Sequence, residues 1–296
     1  MKDTFSNMHP FINFIFFALT IGFTMFIMNP VCLAVSFLCA LVTALYLNGK
    51  KAVRLSLVFL LPMIILIVLI NPVFNHEGMT ILTYFPWDNP LTLESIVYGI
   101  ASAFLLSSTV LWFSSFNAVI TSDKVVFLFG RIMPSLSLVI SMALRFVPRF
   151  SAQMKLVRNA QHTIGRDINE GTLFQRIRNA VKILSIMITW SLENAIETAD
   201  SMKSRGHGLK GRTSYSLYKF DKRDAFMLCT ILFTGLVLMI LLFTNAIKFR
   251  YYPSIKGDLF TVQSVIFYIF YTFLMLIPLS VNIGEGIKWK HMQSKI

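Results

Sequence analysis

The sequence predicts an all-α integral membrane protein: about six transmembrane helices plus a cytoplasmic block of amphipathic helices. Three observations carry this reading. Of the 296 residues, 55% are hydrophobic and only 14% charged, a composition that belongs to membrane chains. Six runs, 11–28, 31–47, 55–70, 91–113, 226–243 and 260–281, approach the roughly 20 apolar residues that a hydrocarbon core requires. The positive charge is gathered in one stretch, residues 124–223, which holds 17 of the 27 Lys and Arg against 6 acids.

The first run follows a short polar start, MKDTFSNMHP, and ends in IMNP without a small-residue cleavage site. It is read as a retained span rather than a signal peptide. Proline after asparagine closes the apolar run at Asn29 and again at Asn71, where it stops a helix and opens a turn. Between Arg54 and Lys124 there is no Lys or Arg at all. Cytoplasmic loops retain basic residues, so this stretch is a span, an outside loop and a returning span, with NGKKAVR (48–54) and SDK (122–124) inside. Both Asn-Pro turns then fall outside and both termini fall in the cytoplasm. His76, Glu77 and Asp88 in the outside loop read as polar residues of a solvated loop, ahead of a metal or substrate site. The segment NAIKFRYYPSIKGD (245–258) is assigned outside although it carries Lys248, Arg250 and Lys256. Cys32, Cys39 and Cys229 lie in apolar runs without metal-type spacing and read as packing residues.

The basic block carries a net charge of +11 of the chain's +13 and is too long for an ordinary connection. Three kinds of partner suit it: anionic lipid, at about 1 kcal/mol per basic residue near the surface; an acidic protein; and, more weakly, nucleic acid, for which no recognition motif is present. In LRFVPRFSAQMKLVRNAQHTIG, Phe146, Phe150, Met154 and Val157 recur at helical spacing while Arg145, Arg149, Lys155 and Arg158 lie mostly elsewhere. This is an amphipathic helix, bent near Pro148. SLENAIETADSMKSRG repeats the design, with Leu192, Ala195, Ile196, Ala199 and Met202 as one stripe. Its acids come early and Lys203 and Arg205 late, as the helix macrodipole favours, and Gly206 is the left-handed residue that stops it. LFQRIRNAVKILSIMITW between them is a third, more apolar segment. The expected division is 1–121, N-terminal membrane helices; 122–224, the basic cytoplasmic coupling-helix region, part of it membrane-associated; and 225–296, C-terminal membrane helices.

Much chemistry is excluded. There is no P-loop, no H-E-x-x-H and no G-x-S-x-G. Ionisable residues are almost absent from the spans, whereas coupled carriers and pumps need them as relays. No catalytic residue, metal ligand or cofactor site is expected. On spacing alone, Ser204, Arg205 and Gly206 are a basic last turn and a glycine cap.

The run SMALRFVPRFSAQMKLVRNAQHTIGRD, followed by LENAIETADSMKSRGHG and GRTSYSLYKFDKRD, resembles the transmembrane T component (EcfT/CbiQ type) of energy-coupling factor transporters. The resemblance covers roughly 90–285 and is strongest over 141–224. It implies a non-catalytic subunit of an ABC-type importer in a bacterial cell membrane, taking up a vitamin or a transition-metal ion such as cobalt or nickel. The implied partners are a substrate-binding S component, two ATPase subunits and membrane lipid, with no nucleic acid. Long cytoplasmic coupling helices in that family end in Ala-Arg-Gly-like motifs whose arginine docks in an ATPase groove. By position, the second such motif is Ser204, Arg205 and Gly206, with serine for alanine. At the first, Ile164 stands where the family has arginine, followed by Gly165 and Arg166. Either Arg166 substitutes from two residues on, or this end docks by apolar contact. The small residues of GIASAFLLSS (99–108) give the S component a smooth surface or, equally, pack spans within the chain. The competing reading is a stand-alone channel or membrane-embedded enzyme whose basic region binds lipid.

Overall fold

The computed structural model describes residues 3–84, 89–166, 169, 171–209, 218–257 and 259–293. Among them, six helices are long and apolar enough to cross a membrane: Pro30–Asn48, Lys50–Phe74, Leu93–Val119, Ser135–Thr163, Lys222–Phe243 and Val262–Gln293. The architecture is that of an all-α, multi-pass membrane protein, and two spans differ from the sequence reading. The run assigned to 11–28 forms α1 (Pro10–Phe26), whose 17 residues reach about 25 Å at 1.5 Å per residue, at the lower limit of what a span requires. Ser135–Thr163, whose residues from 144 on belong to the stretch read as an amphipathic cytoplasmic helix, meets the length and hydropathy that a span needs.

The chain divides into two compact units, Met1–Lys124 with Tyr218–Ile296, and Val125–Leu217. The first holds α1, α2 (Pro30–Asn48), α3 (Lys50–Leu55), a π-helical turn (Ser56–Leu60) leading into α4 (Leu61–Phe74), β1 (Ile81–Tyr84), β2 (Pro90–Thr92) and α5 (Leu93–Val119). Beyond the second unit it adds α9 (Lys222–Phe243) and α10 (Val262–Gln293); α6 (Ser122–Ile132) starts at its boundary. The helix starts are legible in local chemistry. Asn29 Oδ1 accepts from Val31 N at 3.0 Å and Thr92 Oγ1 from Ser95 N at 3.3 Å, while α1 and α2 carry proline in the first turn, where no amide donor is needed.

Helix α5 is the hub and packs against α1, α2 and α4. Its small residues Gly99, Ala101, Ala103, Ser107 and Ser108 are buried, while Ile100 and Leu106 are exposed. A Cβ on Gly99 would lie 3.1 Å from Asn71 Cβ, so glycine lets α4 and α5 approach closely. The stretch 99–108 therefore packs spans within this chain, and its outward face is large and apolar. Trp112 is fully buried against Phe16 and Phe17 edges and donates from Nε1 to Ser36 Oγ at 3.0 Å. Cys32 and Cys39 are buried, as packing residues should be; Cys229, read as a packing residue too, is exposed among the described residues.

The loop read as merely solvated contains an antiparallel ribbon, β1 with β2. It is stitched down: Thr80 Oγ1 donates to Glu94 Oε2 at 2.6 Å and Met79 N to Pro253 O at 3.1 Å. Asn75 Nδ2 donates to Tyr252 OH at 2.9 Å, and Tyr251 OH donates to Met28 O at 2.9 Å. Residues 245–257 thus cover the same end of the helices as the 27–29 turn and the ribbon. Burial beside Tyr98 pushes the Tyr251 and Tyr252 hydroxyls up to about 12.

The second unit is built on α7 (Pro134–Thr163) and α8 (Leu173–Ser204). Helix α7 continues through Pro148, and the predicted stripe Phe146, Phe150, Met154 and Val157 is its half-buried face. Helix α8 corrects the sequence reading: the two segments on either side of residue 190 are one helix of 32 residues. It starts at a capping box, in which Thr172 N donates to Gln175 Oε1 at 3.0 Å. No glycine or proline interrupts it before Ser204. The helices meet where Phe150 lies edge-on to Trp190 at 5.7 Å and the Arg149 guanidinium sits over the same indole at 5.9 Å.

Candidate protein-docking site

The two long helices of the second unit end in the same way. At α7, Gly165 N donates to His162 O at 2.9 Å and Arg166 N to Gln161 O at 2.9 Å. At α8, Gly206 N donates to Lys203 O at 2.9 Å and His207 N to Met202 O at 3.0 Å. Both are Schellman closures, and each requires a left-handed residue after the cap. Gly165 supplies it at φ +71 and Gly206 at φ +76. The hydroxyls agree as well: Thr163 Oγ1 donates to Ala160 O at 2.8 Å and Ser204 Oγ to Ser201 O at 2.9 Å. In register, Thr163-Ile164-Gly165 corresponds to Ser204-Arg205-Gly206, and Arg166 corresponds to His207. Thr163 was not singled out from the sequence, although its spacing from Gly165 matches that of Ser204 from Gly206.

These bonds satisfy the last carbonyls of each helix from within, so neither tip depends on a basic side chain for its closure. Arg205 makes no ion pair or side-chain hydrogen bond with any described residue, and Ile164 is 63% exposed. One tip therefore presents a free guanidinium and the other an apolar side chain, on the same backbone. A guanidinium held at a rigid helix end can bind a carboxylate through two parallel N–H donors.

The first tip also borders a cavity. Gly165, Arg166, Gly171 and the early turns of α8 enclose a polar cavity of about 370 Å³, to which Gln175, Arg178 and Lys182 contribute. Arg178 and Lys182 were not singled out from the sequence. The available signal was their spacing of four, which places both on one helix face. No cluster of His, Cys, Asp or Glu that could hold a metal ion occurs among the described residues. Asp88 and Asp167 lie outside them.

Residues 2–215 match the model of a family described as "CbiQ: Cobalt transport protein". The chain is 41% identical over 106 residues to an energy-coupling factor transporter transmembrane protein EcfT of Lactobacillus helveticus, 35% of this chain and 38% of that one. It is 29% identical over 181 residues to the protein so named in Lacticaseibacillus paracasei, covering 60% and 69%. With that of Exiguobacterium sibiricum it shares 26% over 208 residues, covering 66% and 78%. The chain thus spans less than half the length of the first of these relatives.

Proposed function

The chain belongs to the CbiQ family, the transmembrane components of energy-coupling factor transporters, and from that premise we propose that it couples two ATPase subunits to a substrate-binding S component. It is the non-catalytic scaffold of the importer: 1–121 and 225–296 hold the S component within the membrane, and 122–224, part of it membrane-associated, carries the coupling helices whose tips lie on the cytoplasmic side. Both termini are cytoplasmic, in a bacterial plasma membrane. The S component selects the cargo, a vitamin or a transition-metal ion.

The observation that carries this reading is the matched pair of tips. Each is rigid and internally satisfied, and each lies at the end of a long helix. From the Phe150–Trp190 contact, Thr163 is 13 and Ser204 14 residues further along, about 20 Å at 1.5 Å per residue. The second unit thus supplies two levers of equal length on one pivot. Seated on one ATPase each, the tips follow the ATP-driven movement of the two subunits and hand it to the membrane helices. In this role Ser204, Arg205 and Gly206 form one plug, and Ile164, Gly165 and Arg166 the other. The free Arg205 fork docks against acids of one ATPase, and Gly206 lets the backbone turn away at close approach.

The test is coexpression of this chain with two P-loop ATPases and an S component from the same genome. The expected result is a stable complex whose ATPase content and ATP-driven uptake both fall in Arg205→Ala. A wild-type chain that retains no ATPase, or uptake unchanged in the alanine variant, overturns the reading.

A further inference from the structure

The chain enters the second unit after Lys124 and leaves it before Tyr218, and both junctions are breaks in helical structure. Helix α5 ends at Val119, with Ile120 in extended backbone, and α6 starts at Ser122. On the return, residues 218–221 are non-helical and α9 starts at Lys222. Residues at the ends of elements are where hinges form, because their φ and ψ change without breaking helical hydrogen bonds. One short segment, residues 4–9, reaches both junctions. At the entry, the Lys124 ammonium donates to Val119 O at 2.8 Å and to Ser6 O, so it bridges the break and binds the segment together. At the exit, the His9 ring meets Phe220 edge-on at 5.3 Å. Burial and, after it, the Asp123 carboxylate raise the Tyr218 hydroxyl above its ordinary range, which places the two junctions near each other.

The segment is itself anchored on the first unit's helices. Asn7 N donates to Thr4 O at 3.1 Å and Met8 N to Phe5 O at 3.2 Å, consecutive turns that keep it compact. Phe5 is fully buried, edge-on to Phe16 of α1 at 5.3 Å, and Met8 is buried as well. Phe5 N donates to Asn282 Oδ1 of α10 at 3.0 Å, across the whole length of the chain. Asn13 of α1 is fully buried, with its amide oxygen 3.2 Å from the Lys124 ammonium and its amide nitrogen 3.0 Å from Phe5 O. Helices α1 and α10 and both junctions therefore share one set of contacts.

We propose that residues 4–9 are a transmission clamp, with Lys124 and Phe220 as the positioning residues through which it grips the two junctions and passes their movement to α1 and α10. The inference rests on the coupling reading above and deepens it by naming a route into the membrane helices. A lever moves its load only when its base is held. With either junction free, rotation at residues 120–121 or 218–221 absorbs the displacement of α7 and α8. An ammonium suits the entry because its donors are directional and its loss leaves the buried Val119 carbonyl without that donor. Phe5 and Met8 resist withdrawal of the segment, since close-packed interiors transmit strain rather than yield to it. An anchor that only stabilised the N-terminus would need one attachment to the helices; this one spans both junctions.

The experiment uses the complete complex with its ATPases and S component in nanodiscs, Cys229 of this chain being replaced by serine. An environment-sensitive thiol fluorophore is attached before assembly at Glu197→Cys in α8 or at Ile287→Cys in α10, both exposed positions. ATP with vanadate, compared with ADP, is expected to shift the emission at both sites in the otherwise wild-type chain. Lys124→Met and Phe220→Ala should keep the shift at 197 and lower that at 287 about fivefold or more. Lys124→Arg, which still donates, should lose less. Phe220 is 50% exposed, so its replacement spares the buried core and decides the matter even where Lys124→Met fails to assemble. A full shift at 287 in Phe220→Ala and in the Lys124 variants overturns the clamp, while the shift at 197 leaves the coupling reading standing. A wild type that responds at 197 alone also overturns the clamp. No response at 197 in the wild type overturns the coupling reading itself.

Discussion

Ile164 and Arg205 occupy the same position in two equivalent helix ends. Ile164 has φ −93 and ψ 4, Arg205 has φ −84 and ψ 9, and each precedes a glycine in the left-handed region. The backbone is shared and the side-chain chemistry is not: one residue is apolar and the other a free cation. This separation allows capping and docking to be tested apart.

Arg205→Ala is expected to leave insertion and folding intact, since the α8 carbonyls are already paired with Gly206 N, His207 N and the Ser204 hydroxyl. Its cost falls on ATPase binding, about 2–5 kcal/mol if a buried acid is left unpaired. Arg205→Lys should lie between, having the charge without the fork. If Arg205 served only the helix dipole, lysine would be silent, because such an interaction is worth about 0.3–1 kcal/mol. Retained ATPase at graded salt separates these outcomes.

Gly206→Ala should destabilise the second tip by about 1–2 kcal/mol through the left-handed backbone alone. The added Cβ would also meet Leu209 Cδ1 at 3.0 Å. Gly206→Asn should be milder, since asparagine tolerates this region. Gly284→Ala is the control: it lies within α10 at ordinary φ with open space around it, and should stabilise by about 0.5–1 kcal/mol. Thermal unfolding in detergent reads the glycine and alanine forms side by side, and equal behaviour at 206 and 284 would contradict the strained geometry.

Lys124 is 5% exposed, and its ammonium donates to Val119 O at 2.8 Å and to Ser6 O. It thereby ties the N-terminal segment to the end of α5. Burial holds its ammonium below the usual lysine range. Lys124→Ala leaves buried carbonyls without a donor and should cost about 1–3 kcal/mol. The readout is a lowered Tm with faster proteolysis of the first ten residues; an unchanged Tm would show that the tie carries no stability.

Met79, Ile255 and Leu209 are exposed and suit cysteine labelling in a chain whose exposed Cys229 is replaced by serine. The packing of 245–257 on the ribbon places Met79 and Ile255 on one face. Cysteines at 79 and 255 should react with an impermeant thiol reagent in intact cells, and a cysteine at 209 should react only after permeabilisation. Reaction at 209 alone would invert the topology.

Apolar runs, the stretch free of Lys and Arg from 55 to 123 and the basic block are properties of the chain in one dimension. The helical class and the glycine that closes α8 were therefore open to direct reading. Tertiary structure decided what depends on partners distant in sequence. Residues 99–108 turn their small side chains inward because α4 comes to lie against α5, and no local pattern states which neighbour a small residue meets. The segment 245–257 belongs with the ribbon because Tyr251, Tyr252 and Pro253 find hydrogen-bond partners at Met28, Asn75 and Met79. The cavity at the first tip joins Gly165 and Arg166 to Arg178 and Lys182 across a helix boundary. Helical periodicity runs along one helix at a time, so a site made by the end of one helix and the face of the next appears only once the connection has folded them together.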